Sequence, residues 1–365
     1  MGQLLADASL PLVFGLLAVA AAVIGFAGTR LAGVADELAD RTGMGEIIAG
    51  ALFVGGATSL PGIITSVSTA AQGYPGLAIG NAVGGLTVQT AFLAVADLAY
   101  RRANLEHAAA SVVGLTQGTM LLGLLTLPLL AASSPELTVM GVHPVTPLLF
   151  VAYGLGLRLL ANVRGDPMWS PVVTDETQHE EVELEDAEKK EQETGDHEPP
   201  EDPVKSRYDE TSTRQLWLLF LLYAGLTAAA GYAVGETSIA LVGLTGLGET
   251  AIGTVFTAVA NSLPELVTAV AAVRVGAVNL AVGDVIGGNS FEVLFLAAAD
   301  VVYLDGSLYH RFTDQNVFIT VMAILMTAVL LLGMLRRERH GIGGIGFESA
   351  LVLLLYGCSV LVALS

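Results

Sequence analysis

Residues 55–62 read GGATSLPG, and residues 258–265 read AVANSLPE. The two stretches lie at the same place in two longer segments, 42–100 and 245–303, which align without a gap at an offset of 203. Identical residues occupy 24 of the 59 aligned positions, and they include prolines, glycines and acids that apolar composition alone would not place in register. A duplicated apolar segment with helix-breaking residues is typical of secondary transporters, in which the substrate lies between the two repeats.

The composition indicates a membrane protein. The chain of 365 residues is 53% hydrophobic and 14% charged, with a mean hydropathy of +0.66. Apolar stretches long enough to cross a bilayer, about 20 residues each, recur along nearly the whole length. We predict ten spans, near residues 10–34, 46–71, 76–99, 107–132, 145–163, 214–240, 249–273, 277–301, 315–335 and 346–364.

Five of these spans fall in each half of the chain, residues 1–163 and 214–365. Because five is an odd number, the second half must enter the membrane in the sense opposite to the first. The predicted fold class is therefore an all-α membrane protein of about ten transmembrane helices, arranged as two inverted five-helix repeats. Lys and Arg concentrate in alternate loops, which predicts a multi-pass protein of the cell membrane with its N-terminus outside.

Residues 164–213 link the two halves and carry 17 of the 35 acidic residues. Large apolar side chains are almost absent after Trp169, so this segment lacks the means to build a core. The charge rule places this acidic linker in the cytoplasm. A Ca²⁺-sensing element is one interpretation, and a solvated linker of a salt-adapted protein is the other, which the composition favours.

The prolines of the two quoted stretches, Pro61 and Pro264, are expected to open the backbone inside the membrane. A proline in a helix removes one amide donor and pushes away the carbonyl four residues earlier, which frees the carbonyls of Ala57 and Ala260. Four polar side chains adjoin these carbonyls: Thr58, Ser59, Asn261 and Ser262. Oxygen ligands without Cys or His suit hard cations such as Na⁺, Ca²⁺ or Mg²⁺.

The third and eighth spans supply a matching face. Residues 80–85 read GNAVGG and residues 283–288 read GDVIGG, with glycines that allow helices to approach closely. Asn81, Asp284 and Glu265 lie near the middle of their spans, where an unpaired charge is costly. Two carboxylates at that depth are expected to hold a cation or a proton.

In these motifs the chain resembles the cation/Ca²⁺ exchanger superfamily, and in layout its prokaryotic Na⁺/Ca²⁺ exchangers. The family's motifs read roughly Gly-Thr-Ser-Leu-Pro-Glu and, on the partner helix, Gly-Asn-x-x-Gly-Ser-Asn. The resemblance implies that the first and sixth spans slide against a fixed core to alternate access. It also implies that the counterparts of the family's ion ligands are Thr58, Ser59, Asn81, Asn261, Ser262, Glu265 and Asp284.

The sequence departs from that family pattern at several places. Gly62 stands where the first motif ends in Glu, and Asn261 stands where the second motif has Thr. Conversely, Glu292 lies eight residues beyond Asp284, and its repeat partner is Gln89. Because Ca²⁺ affinity follows the charge of its ligands, the loss at residue 62 should weaken a divalent site unless another acid takes over. Glu292 and Gln89 therefore join the candidate ligands, with the carbonyls of Ala57 and Ala260.

The function that these features favour is secondary active antiport, with Na⁺ influx driving Ca²⁺ efflux by alternating access. An H⁺- or Mg²⁺-linked divalent cation exchanger is the alternative within transport, and a divalent channel or sensor without coupled transport is the alternative outside it. The expected partners are inorganic cations and the lipid bilayer, without a cofactor, nucleic acid or evident protein partner. A nucleotide-binding glycine loop and a Ser/His/Asp arrangement are absent from the sequence, so an ATP-driven pump or an enzyme lacks support.

Further residues recur at the same offset. Glu46 and Glu249 are interpreted as acids at helix N-termini, where they are stabilising, or alternatively as vestibule charges. His107 and His310 have no obvious metal partner and are interpreted as remnants of the duplication.

Asp97 and Asp300 lie near the ends of their spans. Both are expected at the membrane interface, as anchors or as partners of Arg101 and Arg102. They are not expected among the ligands.

Overall fold

The computed structural model describes residues 5, 8–42, 53–100, 104–165, 208, 211–338 and 346–365. Within these ranges the chain is helical, apart from turns, loops and one isolated bridge, Val139–Val142. The helices in chain order are α1 (Leu10–Thr42), α2 (Gly55–Thr58), α3 (Leu60–Ala71), α4 (Pro75–Ala99), α5 (Leu105–Ala108), α6 (Val112–Ser133), α7 (Val145–Gly165), α8 (Thr213–Thr245), α9 (Glu249–Ile252), α10 (Ala258–Asn261), α11 (Leu263–Val275), α12 (Val278–Val302), α13 (Asp314–Arg336) and α14 (Phe347–Ala363). A π-helical turn, Gly253–Thr257, joins α9 to α10, and a 3-10 turn, Leu308–Arg311, precedes α13.

Among the residues that the structure describes, seven helices are long and apolar enough to cross a membrane, namely α1, α4, α6, α7, α8, α12 and α13. The pair Glu249–Asn261 and Leu263–Arg274 meets the same criterion together, with a bend of 48° between its parts. Two shorter apolar helices, α3 and α14, lie within the remaining predicted spans. The predicted all-α, multi-pass fold is confirmed. The start of the predicted span 46–71 and most of the linker 164–213 lie outside the described residues.

Two helices are longer than the apolar stretches that predicted them. Helix α1 continues from residue 34 to Thr42, and α8 continues from residue 240 to Thr245. Hydropathy marks where apolar side chains end, whereas the backbone hydrogen bonds of a helix continue until a residue stops them. In α8 that residue is Gly246, which adopts a left-handed conformation with a φ of 72°.

The outward faces of the long helices are apolar. Large aliphatic side chains point away from the protein interior at 43–64% exposure in α7 and α8, including Leu155, Leu159, Leu218, Leu221, Leu222 and Leu226. Such contiguous apolar surfaces are rare on proteins that fold in water and fit contact with lipid chains. The polar residues described below lie on the opposite, inward side.

Four helices form the centre of the molecule. Helices α4 and α12 pack against each other, and each also packs against both α3 and α11. Helix α4 is almost fully enclosed, with Leu77, Ile79, Leu86 and Leu93 at 1% exposure or less. The breaks between α2 and α3, and between α10 and α11, therefore lie against a buried helix pair rather than against lipid.

Each break occurs at the serine before the predicted proline. Pro61 and Pro264 occupy the first turn of α3 and α11, where a missing amide costs little. Ser59 and Ser262 separate these helices from the short helices that precede them. Each proline thus lies in the first turn of the helix that follows the break, and in the second half the helices on either side of the break are bent by 48°.

Helices α1 and α8 pack side by side, and each touches the proline of the opposite half. A Cβ atom added to Gly28 of α1 would lie 2.5 Å from the Cγ of Pro264. A Cβ atom added to Gly231 of α8 would lie 2.7 Å from the Cα of Pro61. Gly28 and Gly231 are themselves 203 residues apart, so the same close contact occurs once in each half.

Candidate cation site

Amide and hydroxyl groups fill one side of the space between the breaks. Asn81 of α4 donates from Nδ2 to the carbonyl of Gly62 at 3.1 Å and to the Oγ of Ser66 at 2.8 Å. Its Oδ1 accepts from the Nδ2 of Asn261 at 2.8 Å, which joins the two halves. Asn261 Nδ2 also donates to the Oγ1 of Thr65 at 3.1 Å. These four side chains are buried, with Asn81 at 2% exposure.

Thr65 and Ser66 were not predicted from the sequence. Thr65 Oγ1 lies 2.8 Å from the carbonyl of Pro61 and 2.7 Å from the carbonyl of Gly231, so it also connects α3 to α8. The available signal was their position one turn beyond Pro61, because residues four apart share a helix face.

Two carboxylates lie near the second break. Glu265 and Glu292 are buried, at 8% and 5% exposure. The Oε1 of Glu292 accepts from the Nε2 of Gln89 at 2.6 Å, and that nitrogen lies 3.4 Å from the Oγ of Ser262. Glu265 is close enough to act electrostatically on Glu292. Gln89 and Glu292 are repeat partners 203 residues apart, so their hydrogen bond crosses between the halves.

Three oxygens of this group have no hydrogen-bond partner, although they are buried. They are Glu265 Oε2, Glu292 Oε2 and Gln89 Oε1. A buried oxygen without a donor loses its hydration without compensation. In a protein interior such oxygens point to a proton or a cation as the missing partner.

Asp284 has a different environment from its repeat partner. Asn81 is buried by the contacts above, whereas Asp284 of α12 is exposed. Asp36 of α1 acts on it electrostatically, and Asp284 in turn acts on Glu265. Glu265 is therefore within electrostatic range of both Asp284 and Glu292. In the described part of the chain no three acids or histidines converge as a metal-binding cluster.

The remaining candidate ligands surround the breaks. Ser59 is buried, and Thr58 Oγ1 donates to the carbonyl of Gly55 at 3.0 Å. Ala57 and Ala260 are buried at 6% and 5% exposure. Because Pro61 and Pro264 have no amide hydrogen, the carbonyls of these two alanines lack their usual helical donor.

An aromatic ring occupies the space next to Gly62. A Cβ atom at Gly62 would lie 2.5 Å from the Cε2 and 3.2 Å from the Cζ of Phe295, which is on α12. The position that carries the family's Glu is thus closed to a larger side chain in this arrangement.

A glycine on α4 makes room for the carboxylate of Glu292. A Cβ atom at Gly85 would lie 3.1 Å from the Cδ of Glu292 and closer still to its Oε2. At the equivalent position, Gly288, an added Cβ atom would lie 3.6 Å from the Oε1 of Gln89, an ordinary contact. The two halves differ at these positions: the second half places the acid Glu292 against Gly85, whereas the first half places the amide Gln89 against Gly288.

Asp97 and Asp300 fasten the ends of their helices. Asp97 Oδ1 accepts from the amide of Leu105 at 2.8 Å, and Asp300 Oδ1 accepts from the amide of Leu308 at 2.8 Å. Asp300 also accepts from the hydroxyl of Thr146 at 2.6 Å. Both aspartates are fully buried. They bind the following turn rather than lying exposed at the interface, and the expected partners Arg101 and Arg102 lie outside the described residues.

The aligned histidines connect the two halves. His107 Nδ1 lies 2.7 Å from the carbonyl of Arg337, and His310 Nε2 lies 2.8 Å from the carbonyl of Ser134. Ser134 and Arg337 are also 203 residues apart, so the two bonds are equivalent. The interpretation as remnants without a role is therefore replaced by a structural one.

Glu249 begins α9, as expected of an acid at a helix N-terminus. Its Oε2 accepts from the amide of Gly76, at the start of α4, at 2.8 Å. It therefore connects two helix N-termini. Its repeat partner Glu46 lies outside the described residues.

Broken apolar helices around a buried, oxygen-rich site between two related halves define a class of multi-pass membrane transport proteins. The chain belongs to the sodium/calcium exchanger protein family, which matches residues 12–157 and 214–365. The resemblance found in the motifs is confirmed at the level of the family.

Two curated relatives align with part of the chain. The putative antiporter CaxA of Alkalimonas amylolytica is 27% identical over 150 residues, which cover 39% of this chain and 47% of that protein. The sodium/calcium exchanger MaX1 of Methanosarcina acetivorans is 32% identical over 119 residues, 33% of each protein. The chain thus spans less than half the length of either relative.

Solved structures resemble the chain over most of its length. The H⁺/Ca²⁺ exchanger CAX has a TM-score of 0.62 at 15% identity, covering 96% of this chain and 82% of that one. The sodium-calcium exchanger NCX_Mj has a TM-score of 0.54 at 18% identity, covering 97% and 99%. YfkE has a TM-score of 0.57 at 16% identity, covering 100% and 99%. At these identities the likeness concerns the fold.

Proposed function

We propose that this protein is a secondary active antiporter that exports Ca²⁺ in exchange for Na⁺ by alternating access. The observation that carries the proposal is the group of three buried oxygens without partners, on Glu265, Glu292 and Gln89, beside two helix breaks. Buried carboxylates at membrane depth are costly, and a cation offsets that cost. The exchanger names of the relatives support the same class of activity.

Protons are the second candidate for the coupling ion. Glu292 is buried and hydrogen-bonds the neutral side chain of Gln89, and its other oxygen has no partner. A protonated carboxyl satisfies such an environment as well as a bound cation does. The similarity of fold to an H⁺/Ca²⁺ exchanger agrees with this alternative. A Mg²⁺-linked exchanger and a channel or sensor without coupling are weaker candidates, because no contact favours them.

The proposed architecture is ten spans in two inverted repeats, with the N-terminus outside and the linker 164–213 in the cytoplasm. Several contacts support it because they occur twice at an offset of 203 between the halves. Gly28 and Gly231 touch opposite prolines, and Asp97 and Asp300 accept from equivalent amides. A duplicated contact of this kind is expected when two homologous halves pack about a two-fold axis.

The two sides of the site differ in exposure, and this supports a conformation open at one side. Asn81 is enclosed, and its repeat partner Asp284 is exposed toward Asp36. The distribution of Lys and Arg places the Asp284 side in the cytoplasm. We therefore assign this conformation to the inward-open state of the transport cycle.

Flux through proteoliposomes tests the proposal. An outward-directed Na⁺ gradient should drive ⁴⁵Ca²⁺ uptake, because exchange runs in whichever direction the gradients dictate. Uptake that follows a pH gradient instead would establish proton coupling. Uptake that needs no counter-ion gradient would indicate a channel, and absence of Ca²⁺ movement under all three conditions would contradict antiport.

A further inference from the structure

Glu292 of α12 is a second buried carboxylate in addition to Glu265. It lies at a different position from the acid of the family motif. This inference rests on the proposed function and concerns how the divalent cation is held. Gly62 lacks the acid of the family motif, and the ring of Phe295 lies within 2.5 Å of where its Cβ atom would be. Restoring a ligand from that backbone position would require Phe295 to move.

The negative charge that is missing at residue 62 is present on Glu292. Glu292 is one turn before Phe295 on α12, and its carboxylate reaches toward α4, where Gly85 leaves room for it. Glu265 of α11 lies within electrostatic range. Gly85 has no side chain and leaves room for the Glu292 carboxylate, whereas the Phe295 ring excludes an acid beside Gly62. Both features therefore favour an acid on α12 over one at residue 62.

The oxygens around Glu292 form a set of candidate ligands for a cation. Glu265 Oε2, Glu292 Oε2 and Gln89 Oε1 are buried without partners. The Oγ of Ser262 lies 3.4 Å from the Nε2 of Gln89. Carboxylate, amide and hydroxyl oxygens are the ligands of hard divalent cations, and two carboxylates balance two positive charges.

We propose that Glu292 replaces the acid missing at Gly62 as the second carboxylate ligand. The divalent cation then lies between Glu265, Glu292, Gln89 and Ser262. Because Gln89 and Glu292 are repeat partners in direct contact, this position is where the two halves meet. The asparagine pair of Asn81 and Asn261 remains a neutral neighbour of the ion, hydrogen-bonded within the protein.

Equilibrium ⁴⁵Ca²⁺ binding to the purified full-length protein in detergent tests the assignment independently of transport. Glu292→Gln keeps the shape of the side chain and an oxygen that can accept from Gln89, so a merely structural role would survive it. We expect Ca²⁺ affinity to fall at least about tenfold, with an unchanged size-exclusion profile. Affinity within about twofold of the wild type would overturn the proposal, as would a wild type that binds no Ca²⁺.

Two glycines provide a matched pair of variants. Gly85→Ala places a methyl group against the Glu292 carboxylate, whereas Gly288→Ala makes only an ordinary contact of 3.6 Å with Gln89. Ca²⁺ affinity should fall in Gly85→Ala and remain within about twofold in Gly288→Ala. Equal affinities in the two variants would contradict the assigned position of the ion. A wild type that binds Ca²⁺ as expected but does not exchange it would refute the antiport proposal and leave this assignment standing.

Discussion

At the scale of single residues, the site depends on charges held in an enclosed space. Glu265 is buried and lies within electrostatic range of both Asp284 and Glu292. Asp284 is the exposed member, and in the proposed inward-open state it faces the open side. The proposed transport therefore assigns Glu265 to ion binding throughout the cycle and Asp284 to the entry of the ion from that side.

Neutralising either acid should abolish most of the exchange. Glu265→Gln and Asp284→Asn each remove a charge worth about 1.5–3 kcal/mol to a hydrogen-bonded or ionic partner, which is about a tenfold or larger loss of affinity. Ca²⁺ flux in proteoliposomes measures this loss. The control is Asp305→Asn in an exposed turn, and near-normal flux from a well-folded Glu265→Gln protein would contradict the assignment.

Restoring the family's acid at residue 62 should fail unless Phe295 is made smaller. In Gly62→Glu alone the new side chain meets the ring at 2.5 Å, and overpacking of this kind costs about 1–3 kcal/mol. The double variant Gly62→Glu/Phe295→Ala should be folded and should bind Ca²⁺ better than Phe295→Ala alone. Thermal unfolding and ⁴⁵Ca²⁺ binding report the two effects, and a fully stable single variant would show that Phe295 moves readily.

At the scale of helices, the prolines and glycines decide how α1 and α8 meet the core. Pro61 and Pro264 lie in the first turns of α3 and α11, after the breaks at Ser59 and Ser262. Gly28 and Gly231 let the two long helices approach these prolines within direct contact. The family resemblance implies that α1 and α8 slide during transport, and such sliding would change these contacts.

A methyl group at Gly231 should therefore impair both packing and exchange. In Gly231→Ala the added Cβ atom would lie 2.7 Å from the Cα of Pro61, a backbone atom that cannot rotate away. We expect a loss of about 1–3 kcal/mol in stability and a lower flux. Gly225→Ala on the same helix is the matched control, since no described atom lies within 4 Å of its Cβ position. Equal thermal stabilities in the two variants would refute the close contact.

At the scale of the whole molecule, the two ends are built from equivalent parts with different charges. Asp300 accepts from the hydroxyl of Thr146, which lies 2.9 Å from the hydroxyl of Tyr309. At the other end Ser349 replaces Thr146, and Glu106 replaces Tyr309. Glu106 Oε1 accepts from the Ser349 hydroxyl at 3.1 Å, and its Oε2 has no partner. The Asp300 end is thus neutral beside its aspartate, whereas the Asp97 end carries two further buried acids, Glu106 and Glu348.

This difference should make stability depend on pH. Burial, and next the charge of Asp97, raise the pKa of Glu106 from 4.5 to about 8. The folded state therefore holds a proton that the unfolded state releases, and this contribution is complete below pH 4.5 and is lost as the pH rises through about 8. The thermal unfolding temperature in detergent should fall across this range, and less so in Glu106→Gln. If the unfolding temperature of Glu106→Gln falls with pH as steeply as that of the wild type, Glu106 is not the group responsible. Asp305→Asn is the control and should keep the wild-type pH dependence.

The sequence by itself determined the membrane class, the all-helical fold and the family. These depend on hydropathy and on register, because a repeat at a constant offset places prolines and polar residues at equivalent depths whatever their neighbours are. It also singled out Gln89 and Glu292 as candidate ligands, because an amide and an acid occupy equivalent positions in the two repeats. The contacts of Thr65 and Ser66 with Asn81, Asn261 and Gly231 could not be predicted, because they depend on how α3 is rotated against α4 and α8.

Only the tertiary structure decided whether there is room for an acid beside Gly62 and which of the residues Asn81 and Asp284 is exposed. Phe295 lies 233 residues from Gly62 in the chain, and no local pattern indicates that its ring fills the place of an acid. The same holds for Asn81 and Asp284, which occupy equivalent positions in the sequence but differ in exposure. Local sequence sets helix type and depth, whereas exposure depends on how distant helices pack, and the two related halves pack differently.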